Sequence, residues 1–489
     1  MHDELIQQIA EKVTVSYTRL SIVSNPGGLL ASSVVRQKLL EQERITVVAG
    51  SNLQLRVHFE LTYKHDHEGR YVYVCEDTDS ILPDMREDAY ITSFSVTDLL
   101  PLFANKPLLR RQPYEVVARL YLLCQGKRVG IDEGEWLVNN ITTEIVQRRM
   151  TSAEHYRGQI AIIDIDWDKP AKTMNSVCTI MNEAIESGAY DGIDDTVEEV
   201  NLRFQDWIDQ NYFAQLHASP LLSPKSVNGI LPYLSHNFTR ADKVALIVVD
   251  GFSYWQWLLL KGELSKTRIA IIDGTTLAWL PTITMLSRQA IFRGDTPLLE
   301  YKQSTAEENR MWRDYWQREG LSGLSVQYIS DSDEFAINEG VRRLAYVTVE
   351  MDKKMHSSTD YRDLHALTRN WCPRMTEKIK TILSLGYNVF LTTDHGGVLS
   401  EGWRRMTEAE KVFLYKDGSR GKRHLIYGDN SMEQQRFYNE NTDLSLLNHD
   451  HWLAMRNNLC FDTSGTREIT HGGSHFLEVV IPFINIKPQ

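Results

Sequence analysis

At 489 residues and 42% hydrophobic content, the chain has room for roughly two to four domains and a sizeable core. Its formal net charge of −12 argues against a broad surface for nucleic acid or anionic membrane, which needs an excess of Lys and Arg, although local basic patches stay open. Five scattered cysteines (Cys75, Cys124, Cys178, Cys372, Cys460) without a C-x-x-C spacing imply neither a disulfide framework nor a thiolate zinc site, and fit a reducing compartment. The N-terminal MHDELIQQIAEKV carries acids where a signal peptide carries bases. No apolar run approaches the ~20 uncharged residues of a membrane span, so a cytoplasmic protein without membrane contact is expected.

Along the chain, RITVVAG, LQLRVHFELTY and RYVYVCE read as strands and PYEVVARLYLLCQ as a helix, which predicts an α/β domain over residues 1–150. In AIIDIDWDKP, Asp164 and Asp166 are expected to end a strand at a domain junction. From Lys172 to about Leu216 the pattern is helical, and Val197, Val200, Phe204, Trp207 and Ile208 form the stripe of a buried helix face. Pro220, Pro224, Gly229 and Pro232 punctuate a connecting stretch. Residues 151–240 are therefore read as a mostly helical connecting segment and 241–489 as a second α/β domain. There KVALIVVD, LAYVTVE and NVFLTT are short, continuous β-branched runs, the mark of strands buried on both faces of a mainly parallel sheet flanked by helices.

Each of these strands ends in acid. Asp250 follows the first, Asp352 the second, and Asp394 with His395 the third. Ligands bind beyond the carboxyl ends of parallel strands, so three acids at equivalent ends would converge on one edge, and such a cluster demands a cation. His356 lies four residues after Asp352, His395 adjoins Asp394, and His471 opens a late HGG. Carboxylates with imidazoles suit zinc or manganese. In LPTITMLSRQAIFRG, the hydroxyl residues Thr282 and Thr284 precede a helical run from about Met285 to Phe292, placing an oxygen at a helix N-terminus that favours a phosphate. The plain alternative is a capping threonine and nothing more.

Asp250-Gly251, Pro281 to Thr284, Asp352 to His356, Thr392 to Gly396 and His471 to Pro482 stand in the order of motifs of the alkaline phosphatase superfamily. The ending HGGSHFLEVVIP is close to that of the PglZ family within it. The chain resembles that family from about Val244 to Gln489, with a weaker likeness in SNLQLRVHFELTY and DLLPLF. The resemblance implies an alkaline-phosphatase-like catalytic domain with two divalent metal ions, zinc before manganese. Asp250, Thr284, Asp394 and His395 would hold one ion; Asp352, His356 and His471 would hold the other. Thr284 would be the nucleophile, attacking phosphorus in line to give a phosphothreonine that is then hydrolysed. PglZ proteins are associated with BREX-type phage-defence operons, which implies a defence role and defence-system protein partners.

Arg288 stands four positions after Thr284, the spacing of the sulfatase signature, where a guanidinium could meet a developing oxyanion; a structural ion pair is the equal alternative. Sulfatases oxidise Cys or Ser to an aldehyde that Thr cannot give, so the expected chemistry is phosphoryl transfer. Arg420, Lys422 and Arg423 in GSRGKRH are candidate contacts to a polyanionic substrate such as a nucleotide or oligonucleotide. The H-x-H of Asn448 to His451 reads as a solvated loop, and His471 is preferred to His475 as a ligand because HGG leads it. The D-x-D of AIIDIDWDKP resembles the entry motif of haloacid-dehalogenase-type phosphatases but lacks its continuation. The expected function is a metal-dependent phosphodiesterase or phosphatase. The alternative is a non-catalytic scaffold whose metals hold the fold.

Overall fold

Residues 3–298, 302–414 and 420–488 are described by the computed structural model, in two units that divide between Thr151 and Ser152. In the first unit, β1 (Leu20–Ser24), β2 (Ile45–Ala49), β3 (Arg70–Cys75) and β4 (Tyr90–Ser93) form a parallel sheet in the order β2-β3-β1-β4. RITVVAG and RYVYVCE are thus strands, and PYEVVARLYLLCQ supplies the helix Tyr114–Cys124.

LQLRVHFELTY is not a strand. It forms the helix Asn52–His58 and a wider turn over Phe59–Tyr63. Its apolar residues alternate, yet only Leu55 and Phe59, four apart, are buried, while Leu53 and Leu61 remain 73% and 72% exposed. The decisive signal is at the start. The Ser51 side chain accepts from Gln54 N, and the Gln54 side chain accepts from Ser51 N, a reciprocal cap that fixes the first helical turn.

In the second unit AIIDIDWDKP also departs from expectation: the helix Ile131–Ala161 runs into it, and Asp164 to Asp168 lie in an irregular turn where Asp166 Oδ1 accepts from Asp168 N. No strand precedes these acids. The helices Pro170–Ser187 and Asp194–Trp207 follow, with Val197, Val200, Phe204 and Ile208 buried and Trp207 partly covered. They pack into the same core as the main sheet, so the division expected at residue 241 falls inside this unit.

The strands of the second unit are β5 (Val244–Val249), β6 (Ile269–Ile272), β7 (Thr275–Leu277), β8 (Val326–Ser330), β9 (Arg343–Thr348), β10 (Asn388–Thr392), β11 (Val398–Gly402), β12 (His424–Ile426), β13 (Leu446–His449), β14 (Trp452–Met455), β15 (Leu459–Cys460), β16 (Arg467–Thr470) and β17 (Val480–Pro488). The main sheet has the order β6-β17-β10-β5-β9-β8, with β7 on β17; β10, β5, β9 and β8 are parallel, and β17 returns antiparallel to β10. Two three-stranded sheets, β15-β11-β16 and β12-β14-β13, complete it.

Every residue of β5 is buried. Ala245, Ile247 and Val249 face one core with the helices Tyr254–Leu264 and Tyr361–Ser384; Val244, Leu246 and Val248 face another with Phe292, Trp312 and Trp316. Two covered faces explain the unbroken apolar run, each large side chain contributing about 2 kcal/mol of burial. Among the described residues, no helix is long and apolar enough to cross a membrane.

Between these helices, His365 stacks on Trp255, its Nε2 buried without a partner. Burial, with Arg369 nearby, pushes its imidazole down to about 4. A depressed folded-state value stabilises the fold above the ordinary histidine range, and that stability is lost as pH falls toward 4. His365→Phe should therefore gain about 2 kcal/mol relative to wild type between pH 7 and pH 4.5. Urea titrations at both pH values measure the change; an identical difference at the two would disprove it.

Candidate metal centre

β10, β5 and β9 are parallel, hydrogen-bonded neighbours, so their carboxyl ends lie side by side at one edge of the sheet, where parallel sheets bind ligands. Asp250 follows β5 directly, its backbone N–H bonded to Thr348 O at the end of β9. Asp352 stands in the first turn of the helix Glu350–Ser357 after β9, which places His356 one turn later on the same face. Asp394 and His395 follow β10. Gly251 has a φ of 67°, and a side chain there would come within 3.1 Å of the Asp352 backbone, so a glycine lets the β5 and β9 loops meet.

The loops are tied before any cation is considered. Asp394 Oδ1 accepts from Gly251 N, His395 N and Thr393 Oγ1, leaving Oδ2 without a partner. His395 Nδ1 donates to Gly396 O and His471 Nδ1 to Thr282 O, so both imidazoles present their Nε2 lone pairs. Their rings stack at 3.9 Å. Gly472, at φ 109°, passes so close to His424 that a Cβ would lie 2.3 Å from its Nδ1. Glu478 fastens the same loop by accepting from Gly473 N and His475 N, and Thr282 Oγ1 both accepts from Gly472 N and donates to Gly473 O.

Thr284 is the first residue of the helix Thr284–Arg293, whose capping position is Ile283, without a side-chain cap. The threonine is therefore not a cap. Its Oγ1 lies 3.1 Å from His395 Nε2, the atom that also has Asp394 Oδ2 at 3.7 Å and Asp250 Oδ1 at 3.8 Å. On the other side, ligand atoms of Asp352, His356 and His471 lie within 4.8 Å of one another. So do those of Asp250, Asp352 and His395, which makes Asp352 common to both groups where the expected division gave it to one. His356 Nε2 approaches Asp352 Oδ1 at 3.2 Å without an aligned hydrogen bond.

The electrostatics are those of an anionic cluster. Burial, then the Asp394 and Asp352 charges, raise the Asp250 carboxyl well above the usual carboxylate range, and burial raises Asp394. Burial also opposes the Asp352 charge, but the adjacent His356 holds it below that range. Burial, followed by the nearby His395, pushes His471 well down, keeping it neutral and able to ligate. Asp250 Oδ1, Asp352 Oδ1, Asp394 Oδ2 and His356 Nε2 are all buried without hydrogen-bond partners. Such orphaned acceptors fit divalent cations, with three imidazoles and three carboxylates as the donor set.

Arg288 lines the cavity beside Thr284 and is held by two carboxylates. It is buried, with one terminal nitrogen 2.8 Å from Asp250 Oδ2 and the other 2.6 Å from Glu308 Oε2, and these carboxylates hold its charge against the cost of burial. The ion pairs of the expected alternative are thus present, while the Arg288 Nε has no hydrogen-bond partner. Glu308 also accepts from Tyr328 OH at 2.5 Å and from the Gln303 amide.

Two residues of the basic run are corrected as well. Arg423 is fully buried, its Nε on Glu478 and its terminal nitrogens on Ser400 Oγ and the Leu459 and Asn457 carbonyls, so it serves the HGG loop. Lys422 is held by Asp462 at 2.6 Å and Glu468 at 2.7 Å. Gly418 and Ser419 lie outside the described residues. Arg420 is exposed and lines the cavity of about 340 Å³ over Thr284, Asp250, Asp352 and His471. Lys353, exposed on the same cavity, was not anticipated, since a lysine beside an acid reads as an ordinary surface residue. Neither has an ion-pair partner among the described residues.

His475 caps the helix Phe476–Val479 through Nδ1 and meets Glu198 through Nε2 at 2.9 Å. His449 stacks on Phe213, and His451 bonds Gly428 O.

The description "BREX system PglZ alkaline phosphatase-like domain" belongs to the family model that matches residues 234–486. No curated protein matches the chain. Among solved structures, the chain is similar to a phosphonoacetate hydrolase from Sinorhizobium meliloti 1021, with 10% identity and a TM-score of 0.33 over 50% of this chain and 89% of that one. It is also similar to murine ectonucleotide pyrophosphatase/phosphodiesterase 5, with 11% identity and a TM-score of 0.30 over 50% of this chain and 88% of that one.

Proposed function

Because the chain belongs to the PglZ family of alkaline-phosphatase-like domains, we propose that it is a metal-dependent phosphoesterase with Thr284 as nucleophile, acting on a nucleotide or nucleic-acid phosphoester in a cytoplasmic anti-phage defence system. The observation that carries this reading is the set of four buried, unpartnered ligand atoms at the sheet edge, with the Thr284 hydroxyl on the same cavity as Asp250 and Asp352 and 3.1 Å from His395 Nε2. Asp250, Asp394, His395 and Thr284 would hold one divalent ion, and Asp352, His356 and His471 the other, with Asp352 able to reach both groups. Bound there, zinc or manganese would supply Lewis acidity, lowering the pKa of a hydroxyl and neutralising phosphoryl oxygens.

The protein's own groups supply the rest. His395 Nε2 orients Thr284 Oγ1, and the helix N-terminus beneath it favours an anion. The Thr284 oxygen forms a bond to phosphorus as the phosphorus–ester oxygen bond breaks, and the hydroxyl proton ends on the departing oxygen as an alcohol; water then breaks the threonine–phosphorus bond, releasing the phosphate product and restoring the hydroxyl. Arg288 positions Asp250 by occupying Oδ2, which leaves Oδ1 free to ligate.

Elemental analysis of the purified protein should find about two divalent metal ions per chain. Chelation should abolish hydrolysis of a generic phosphodiester, and zinc or manganese should restore it. Protein without bound metal, or turnover indifferent to chelator, would refute the proposal. Lys353 and Arg420 are the cations left to meet a substrate's second anionic group. Lys353→Gln with Arg420→Gln should raise KM for an oligonucleotide about tenfold, while barely changing KM for a small chromogenic diester. Equal effects on the two substrates would remove these residues from recognition.

A further inference from the structure

The second unit has another cavity, of about 530 Å³, that shares no lining residue with the metal centre. We propose that it binds a nucleoside phosphate. Its walls combine two features. One is aromatic. Trp167 is buried against Phe204 and Phe476 at ring distances of 4.7 and 5.6 Å, and Trp207 lies parallel to Phe204 at 5.8 Å while staying half-buried. The other is cationic. Lys169, Lys172 and Lys225 are exposed around the first turn of the 18-residue helix Pro170–Ser187, which opens on the same cavity.

The lysines are largely uncommitted. Lys169 and Lys225 have no ion-pair partner among the described residues, and Lys172 has only Asp164 at 3.6 Å, with both side chains mostly exposed. The one acid on the cavity, Asp168, accepts from Trp207 Nε1 at 3.0 Å and so fixes the indole. The site therefore carries net positive charge beside a pre-positioned aromatic plane.

Two polar atoms point independently to a ligand. Trp167 Nε1–H and Thr276 Oγ1, on residues 6% and 2% exposed, have no hydrogen-bond partner. A buried donor without an acceptor costs about 1–3 kcal/mol unless something supplies one. A purine or pyrimidine offers ring nitrogens and carbonyls to the indole N–H and the hydroxyl, and a flat face to Trp207; its phosphates would meet the lysines and the helix N-terminus. A bare phosphate would use the lysines and leave the aromatic wall and Trp167 unexplained. A cavity of this size falls in the range of small-molecule sites.

Calorimetric titration of the purified full chain, metals in place, with ADP and separately with inorganic phosphate tests the assignment. ADP should bind much more tightly than phosphate. Lys169→Glu with Lys225→Glu, and separately Trp207→Leu, should each weaken ADP about tenfold. Both variants should keep the wild-type melting temperature and turnover of a small chromogenic diester, which separates this cavity from the metal centre. Unchanged ADP affinity in both variants, no ADP binding at millimolar concentration, or phosphate binding as tightly as ADP would each overturn the proposal.

Discussion

Thr284→Ala is expected to lower phosphodiester turnover about a thousandfold or more while leaving metal content near that of wild type. Three observations set this expectation. The hydroxyl does not cap its helix, so removing it costs the fold little. It faces His395 Nε2 at 3.1 Å, within the anionic cluster. The proposed ligand set without it still comprises Asp250, Asp352, Asp394, His356, His395 and His471, and both candidate groups of ligand atoms are left intact. Single-turnover assays with added zinc or manganese, alongside elemental analysis of both proteins, give the answer. Equal rates would discard the nucleophile. Metal-loaded wild type without turnover on any phosphoester would instead leave the domain as a scaffold.

Glu308→Ala should destabilise the fold by about 3–5 kcal/mol, the cost of leaving a buried charge with half its partners. Glu308 is fully buried and joins Arg288 and Tyr328, and Arg288 in turn joins Asp250. Without Glu308, the guanidinium has only an oxygen of a carboxylate whose other side faces the metal centre. The replacement of Glu308 by Leu together with Arg288 by Met removes both charges and should recover most of the loss in urea denaturation, since an apolar pair of similar volume needs no solvation. Melting of Glu308→Ala at the wild-type temperature would show that the pair contributes nothing. Recovered stability without recovered metal affinity would identify Arg288 as the residue that positions Asp250.

The parallel sheet and the acids at its edge were legible because burial on both faces forces unbroken β-branched runs, and an acid ending such a run has few other reasons to be there. Val244 to Asp250 and Asn388 to Asp394 carry that signal. Partners distant in sequence left none. Nothing in TAEENR marks Glu308 as the counter-charge of Arg288, and a dense basic run reads as surface although Arg423 is walled in by Glu478, Ser400 and two carbonyls. LQLRVHFELTY misleads for a different reason. Its alternation suits a strand, and the competing evidence, a serine followed three residues later by a glutamine, acts on the backbone at one end rather than through the apolar pattern. The resemblance divides ligands by motif and gives Asp352 to one ion, whereas its reach in space to both groups of ligand atoms is a tertiary property that no motif records.

The adjacency of β10, β5 and β9 has a further consequence. Neighbouring strands in a ladder stand about 4.8 Å apart, so the separation of the chains that carry the acids is fixed by backbone hydrogen bonds and not by the excursions between strands. Those excursions are then free to lengthen, shorten or change composition without respacing the reactive groups. On the function proposed here, one reactive centre serves many substrates, each chosen by the segments that bear Lys353 and Arg420.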